Sequence, residues 1–258
     1  MTDNKTTIPK IEEVIYLEEQ SSEAEKITIN NQKLIHLETV SEISEATRFI
    51  QDRYNKWAKK EYEENIITDK LSKFPGLFDE VCQKHYFAGS VLDIGCGTGL
   101  AGKIILKYNK NNKITGIDLA EEMAKRAIQN GYKEVYVGLM EEAIPSFLSQ
   151  NKKFDHVVSL ASVCFLPNNV FNNFLTSLFV VADKSITLEV DEITAQFLTN
   201  LEKVLKFQSP IYNNVPIIEK FNLPSGWKVV HEEKKHMWIS PTTGDEVSGI
   251  LIRYEKDN

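Results

Sequence analysis

Three glycines alternate directly after an apolar run in Val91-Leu92-Asp93-Ile94-Gly95-Cys96-Gly97-Thr98-Gly99-Leu100. Glycine reaches backbone angles that a Cβ forbids, so Gly95, Gly97 and Gly99 can turn the chain sharply and bring bare amides against a ligand. A second run, Ile114-Thr115-Gly116-Ile117-Asp118, ends in an acid nineteen residues after Gly99. A carboxylate there can accept hydrogen bonds from both hydroxyls of a ribose. Glycine loop first and ribose acid second is the order a nucleoside cofactor needs at the carboxyl ends of neighbouring parallel strands. Asp93, just ahead of the turn, is placed to hold the loop or to accept a bond from a cationic ligand group. Cys96 is expected to offer its backbone to the cofactor rather than a nucleophilic thiol.

Other residues could serve an acceptor. Ser162 and Cys164 lie past the end of the run His156–Leu160, on the cofactor's side of a sheet; as ordinary loop or core residues they need no role. Glu189 and Asp191 sit near the end of Ile186-Thr187-Leu188-Glu189-Val190-Asp191-Glu192. A central strand rarely carries an unpaired acid, so either could meet a cationic or hydroxylated substrate. The competing expectation is a solvent-facing Glu189 and an Asp191 that caps the next helix. No pair among His36, His85, His156, His231 and His236 has helical metal-ligand spacing with a third ligand nearby, so no metal is expected. No catalytic triad is visible either.

The elements that must position these residues alternate. Expected strands are Ser90–Ile94, Lys113–Asp118, Glu134–Gly138, His156–Leu160 and Ser185–Val190. Expected helices lie at Leu100–Tyr108, Glu121–Asn130, Glu141–Gln150, Val170–Val181 and Ile193–Leu205. Strand and helix in turn predict an α/β, doubly wound, mostly parallel Rossmann-like sheet. Lys228–Lys235 and Val247–Tyr254 predict a C-terminal antiparallel hairpin at its edge. Upstream, Ser41 or Ser44 can cap a helix carrying Ile43, Ala46, Phe49, Ile50, Tyr54 and Trp57, and a second helix is expected over Ile66–Lys84. Residues 1–40 read as an acidic, weakly structured arm with one short element around Ile11–Leu17. Residues 41–258 read as one domain, with 41–88 a helical lid and 89–258 the α/β core.

Dinucleotide loops space their glycines as G-x-G-x-x-G, whereas this chain has D-x-G-x-G-x-G. That pattern resembles motif I of class I S-adenosylmethionine-dependent methyltransferases, and the likeness runs over about residues 45–190. Tyr54-Asn55-Lys56-Trp57-Ala58 with Tyr62, and Asp118-Leu119-Ala120-Glu121-Glu122-Met123, are similar to segments of small methyltransferases such as the methyltransferase-like protein of the Williams–Beuren syndrome region. The resemblance implies S-adenosylmethionine as cofactor, bound by Asp93, Gly95, Cys96, Gly97, Gly99 and Asp118. Leu119, Leu139, Met140 and Leu160 join that cofactor site, with Tyr54 and Trp57 in a lid above it and Tyr62 nearer the acceptor. Trp57 fits equally well as a core residue of an amphipathic helix. Two departures stand out: position 139 is Leu where relatives carry an acid for the adenine amine, and the Pro-Gly-Gly turn before the fifth strand is missing.

The sulfonium of that cofactor is already activated, so transfer to an O, N or S atom depends mainly on proximity and alignment. A small-molecule acceptor is expected ahead of a protein side chain. The Asn-Pro-Pro-Tyr segment of nucleic-acid enzymes is absent after Leu160, which makes nucleic acid an unlikely partner. A non-catalytic cofactor- or partner-binding module is the alternative, and an NAD-dependent oxidoreductase a weaker one. The chain's formal charge of −7 adds little, because residues 1–44 hold nine acids against four lysines. Without a signal-like start or a long apolar run, the expected location is cytoplasmic, with no membrane partner.

Overall fold

In the computed structural model, residues 26–29, 32–37, 43–59, 62–65, 67–68 and 70–257 are described. The expected element around residues 11–17 lies outside them. Among the described residues, nine strands form one sheet. In chain order they are β1 (Lys26–Ile29), β2 (Gln32–His36), β3 (Ser90–Ile94), β4 (Lys113–Asp118), β5 (Glu134–Val137), β6 (Phe154–Ser159), β7 (Ala182–Asp191), β8 (Trp227–Ile239) and β9 (Glu246–Lys256). Their spatial order is β1-β2-β5-β4-β3-β6-β7-β9-β8. Strands β5, β4, β3, β6 and β7 run parallel, and β9 and β8 close that side antiparallel. The doubly wound sheet and its terminal hairpin are therefore as expected.

The helices are α1 (Glu45–Ala58), α2 (Tyr62–Asn65), α3 (Phe74–Lys84), α4 (Leu100–Tyr108), α5 (Glu121–Gln129), α6 (Met140–Ser149), α7 (Asn168–Val181), α8 (Ala195–Leu205) and α9 (Val215–Lys220). The chain moves outward from β3 in two directions, so the carboxyl ends of β3 and β6 face a crevice at the topological switch point. No helix is long and apolar enough to cross a membrane among the described residues.

Two expectations need correction. Residues 26–36 are not a loose arm. They form β1 and β2, and β2 adds in parallel to the edge of β5, with Leu34 opposite Val135. Nor is residues 41–88 a single lid. The expected helix over 66–84 begins only at Phe74, and α3 packs on α4, burying Phe74, Phe78 and Val81 against Val91 and Ile105. Within this stretch α1 and α2 overhang the carboxyl ends of the strands, and Phe74 at the start of α3 reaches the same space. The Ser44 hydroxyl caps α1 by accepting the Thr47 N–H at 3.1 Å.

Central strand β3 is buried on both faces, and Asp93 is its buried polar residue. Its carboxylate accepts a hydrogen bond from the hydroxyl of Tyr132, and that same oxygen accepts the Gly102 N–H at 2.9 Å. The Tyr132 ring fills a slot walled by glycines. A Cβ at Gly99 or Gly102 would lie 2.7 or 2.3 Å from its Cε2, and one at Gly116 3.1 Å from its Cδ1. Gly99 also takes φ +89° to turn the loop into α4. Asn130, two residues before Tyr132, donates to the Thr98 carbonyl at 2.7 Å. The turn after α5 thus clasps the glycine loop from beneath.

Removing the Tyr132 hydroxyl strands a buried acid and a backbone N–H. Tyr132→Phe is expected to cost about 1–3 kcal/mol in urea unfolding. A variant as stable as the parent would show that the hydroxyl does not hold the loop.

Candidate functional site

Four strand-end loops converge on one chamber with about 1200 Å³ of empty space, mouth included. The loop after β3 contributes Gly95, Cys96 and Gly97, and Asp93 reaches the wall from within the strand. From β4 come Asp118 and Leu119; from β5, Gly138, Leu139 and Met140; from β6, Leu160 and Ser162. Helix α1 roofs it with Thr47, Ile50, Gln51 and Tyr54, and Tyr62 follows from α2. A Cβ on Gly97 would meet no protein atom within 4 Å, so the loop presents bare backbone to open space.

Asp118 ties this chamber together. One carboxylate oxygen accepts the Gly97 N–H at 2.8 Å and the other the Ala120 N–H at 2.8 Å. It is not the N-cap of α5, which is Ala120. Burial pushes its carboxyl up to about 6, against the pull of the two amides. Burial likewise pushes Asp93 up to about 7, opposed by the Tyr132 bond. Each Asp118 oxygen keeps lone-pair capacity beyond its amide bond, as ribose hydroxyls would require.

The roof is fastened to the same parts. Gln51 donates to the Leu119 carbonyl at 3.1 Å, Asn55 accepts the Glu122 N–H at 3.0 Å, and Arg126 donates to the Ala58 carbonyl at 2.9 Å. Glu63 on α2 pairs with Lys103 on α4 at 2.7 Å. These bonds dock α1 across α5 and set Tyr54 and Tyr62 over Asp118.

A second chamber, with about 850 Å³ of empty space, adjoins the first and shares Ile50, Tyr54, Tyr62, Ala161 and Phe165 as walls. Trp57 lines this chamber and not the first, with the Arg53 guanidinium 4.4 Å above its ring centroid. Cys164 and Asp191 line it too. Gly99 and Glu189 reach neither chamber: Gly99 packs on Tyr132, and Glu189 lies behind Ala161.

Glu189 is 0% exposed, which overturns the solvent-facing expectation, and Asp191 ends β7 while Thr194 caps α8. Alternation along β7 explains both. Ile186, Leu188 and Val190 enter the apolar core, so Ser185, Thr187, Glu189 and Asp191 share the opposite face. Each polar residue finds a partner: His156 for Ser185, Arg253 for Thr187, the Ala161 N–H at 2.6 Å for Glu189 and Trp238 Nε1 for Asp191. Burial raises both carboxyls; Asp191 pushes Glu189 further up, while Trp238, Glu189 and Cys164 as hydrogen-bonding neighbours pull Asp191 back down. Glu189 therefore keeps its proton while Asp191, held by the indole N–H, is the more readily ionised.

Two details show how closely Glu189 is fitted. Ala161 adopts φ +51°, an unusual angle for alanine, where its N–H meets the Glu189 carboxyl. Opposite on β9, a Cβ on Gly249 would lie 3.0 Å from Glu189 Oε1 and 2.6 Å from the Val190 carbonyl.

Other candidates lie elsewhere. His156 is buried near the amino end of β6, where its Nε2 accepts the Ala88 N–H at 3.1 Å and its Nδ1 pairs with the Ser185 hydroxyl at 2.7 Å, and burial pushes it down to about 4. The thiols Cys82, Cys96 and Cys164 are buried and free, and burial raises all three. No group of three His, Cys, Asp or Glu could hold a metal among the described residues. Sequence reasoning missed Gln51, Arg53, Ala161 and Trp238. Gln51 lies three residues before Tyr54, on one helix face, so its place was legible; the other three depend on tertiary packing.

Residues 91–184 match the model of a methyltransferase domain. That stretch contains the glycine loop, Asp118 and the loops after β5 and β6. Over 119 residues the chain is 26% identical to malonyl-[acyl-carrier protein] O-methyltransferase 2 of Ilyobacter polytropus, covering 46% of this chain and 44% of that protein. The chain thus matches less than half the length of this curated relative. The fold is similar to magnesium protoporphyrin IX methyltransferase from Synechocystis PCC 6803 with bound SAH, at TM-score 0.54 and 18% identity, over 81% of this chain and 99% of that one. It is also similar to a structure described for conversion of a disulfide bond into a thioacetal group during echinomycin biosynthesis, at TM-score 0.55 and 17% identity, over 80% and 93%. The methyltransferase-domain match thus spans residues 91–184, and the solved structures share the fold around it.

The raised Glu189 carboxyl has a measurable sign. Above about pH 4.3 an unfolded glutamate releases a proton that the folded chain keeps, so stability falls as pH rises. Glu189→Gln retains an acceptor for Ala161 and is expected to gain on the parent between pH 5 and 8 in urea unfolding. Glu189→Ala orphans that N–H and is expected to lose about 1–3 kcal/mol. Parallel pH profiles for parent and Gln variant would refute the buried, protonated Glu189.

Proposed function

We propose that the protein transfers a methyl group from S-adenosylmethionine to an O, N or S atom of a small molecule. The observation that carries this reading is Asp118: pinned to Gly97 and Ala120, facing the chamber, and roofed by α1. When bound, the cofactor supplies an activated methyl on a sulfonium. Asp118 holds the ribose hydroxyls, and the amides around Gly97 receive the methionyl end. Leu139 and Met140 flank the adenine. Glu141, half-buried on the same wall with its carboxyl raised by burial, takes the place of the acid missing at 139. Tyr54 and Tyr62 close the boundary between the two chambers and exclude water from the reacting atoms. The finer likeness, to the methyltransferase-like protein of the Williams–Beuren syndrome region, rests on Tyr54, Trp57 and Asp118-Leu119-Ala120 and belongs to this proposal. The working unit of this proposal runs from β1 through β9, because β1 and β2 belong to the same sheet.

Calorimetry with S-adenosylmethionine and S-adenosylhomocysteine tests the reading, with a nicotinamide dinucleotide as the contrasting ligand. Both adenosyl compounds are expected to bind, and Asp118→Ala to weaken them by about 1.5–3 kcal/mol, roughly 10- to 100-fold. A folded protein silent to millimolar cofactor would sink the proposal. Labelled cofactor incubated with a fractionated small-molecule extract is expected to yield labelled product; binding without transfer would favour a non-catalytic module.

Binding also carries a pH signature. Asp118 must be ionised to accept both hydroxyls, and its carboxyl in the free protein sits at about 6. Affinity is expected to be level above pH 7 and to fall toward tenfold per unit below about 6. Affinity unchanged down to pH 5 would exclude Asp118 as the ribose ligand.

A further inference from the structure

The second chamber has a composition that selects its occupant. Its walls are aromatic and aliphatic, with Trp57, Phe165, Phe197, Leu201 and Leu205 among them. Buried polar residues interrupt that surface, Ser72, Asp191, Ser209 and Ser240, and two of them bear on the ligand. Asp191, 1% exposed, presents a carboxylate anchored through Oδ1 by Trp238 Nε1. Ser209, 6% exposed, lines the same chamber with an Oγ that finds no hydrogen-bond partner. A buried hydroxyl left unpaired costs free energy, so its place in a cavity wall points to a ligand that completes it. The acid is unusual as well. A carboxylate in an apolar wall is costly unless a donor meets it. Trp238, Glu189 and Cys164 are the hydrogen-bonding neighbours of Asp191 within the protein, and a carboxylate's two oxygens, with about four lone-pair sites, keep room for one more donor from the chamber.

Charge narrows the ligand further. A carboxylate-bearing acceptor would confront Asp191 at short range. An ammonium would meet the Arg53 guanidinium in the same wall and, in the adjoining chamber, the sulfonium of the cofactor proposed above. A neutral donor avoids both. We infer that the second chamber is the acceptor site and takes a neutral, apolar-bodied hydroxyl compound, an aromatic alcohol or phenol, whose O–H donates to Asp191. This rests on the methyltransferase reading and narrows it to oxygen acceptors. Glu189 acts here as a positioning residue: through the Ala161 N–H it shapes the wall between the chambers and stands beside Asp191 on one strand face.

The test uses the full chain saturated with S-adenosylhomocysteine and four probes sharing one ring system: 2-naphthol, 2-methoxynaphthalene, 2-naphthoate and 2-naphthylmethylammonium. Binding is read by saturation-transfer NMR and calorimetry at pH 7. The naphthol is expected to bind at least tenfold tighter than its methyl ether, with the two charged probes weaker than the naphthol. Asp191→Asn keeps an acceptor for Trp238 and is expected to abolish the tenfold preference while leaving S-adenosylhomocysteine affinity within twofold. Should that variant fail to fold, the ranking on the parent protein decides alone. Equal binding of naphthol and ether, tighter binding of either charged probe, or no probe binding to the cofactor-loaded protein overturns the inference and leaves the methyltransferase proposal standing. Failure of S-adenosylhomocysteine to bind takes both down.

Discussion

A phenol sealed inside the glycine loop's own foundation governs the geometry of the site. The Tyr132 hydroxyl reaches Asp93 on the central strand and the Gly102 amide at the start of α4. Neither partner has water to fall back on, so the interaction fixes where the loop begins and ends. Because the ring needs Gly99, Gly102 and Gly116 as walls, two glycines outside the ligand-facing turn are spent on packing. Only Gly97 faces open space. The motif is therefore both a ligand cradle and a socket for Tyr132, and a change that disturbs the socket would be felt at the cradle.

Asp118 passes that rigidity onward. Its two amide bonds join the β3 loop to the start of α5, and α5 in turn carries α1 through Asn55 and Arg126. The roof is thus held by the machinery beneath it. Tyr54 and Tyr62 hang from that roof between two chambers, so the two chambers share a partition. The polar face of β7 sets the far wall, with Ala161 as the joint between β6 and β7.

Most of the sheet was legible in sequence because its strands are apolar runs and its helices keep a clear period. Strands β3 and β4 and helix α4 fall at the expected bounds, and the other core elements shift by only a few residues. The failures share a cause. Lys26–Ile29 and Gln32–His36 are short, with Ile27, Ile29, Leu34 and Ile35 as their apolar residues, and what completes them as strands is the edge of β5. The break before Phe74 reflects a bridge from Ser72 to Trp238, far along the chain. Tyr132 follows Asn130-Gly131, which reads locally as a helix stop. Glu189 was misjudged because one strand face was presumed wet, whereas the terminal hairpin and the β6 loop cover it. The glycine loop and Asp118 were found because their spacing is local, while the division into two chambers belongs to tertiary structure.

Gly249 lies in the returning strand of the terminal hairpin, directly across from Asp191. A Cβ there would lie 2.6 Å from the Val190 carbonyl and 3.0 Å from Glu189 Oε1. The nearer obstacle is backbone, so the position stays closed to side chains whatever stands at 189 and 191. A slip of β9 by one residue would set Ser248 or Ile250 against that carbonyl, and every other side chain of the strand would change face with it. One missing side chain thus works as a register key, fixing how the terminal hairpin docks on the parallel sheet.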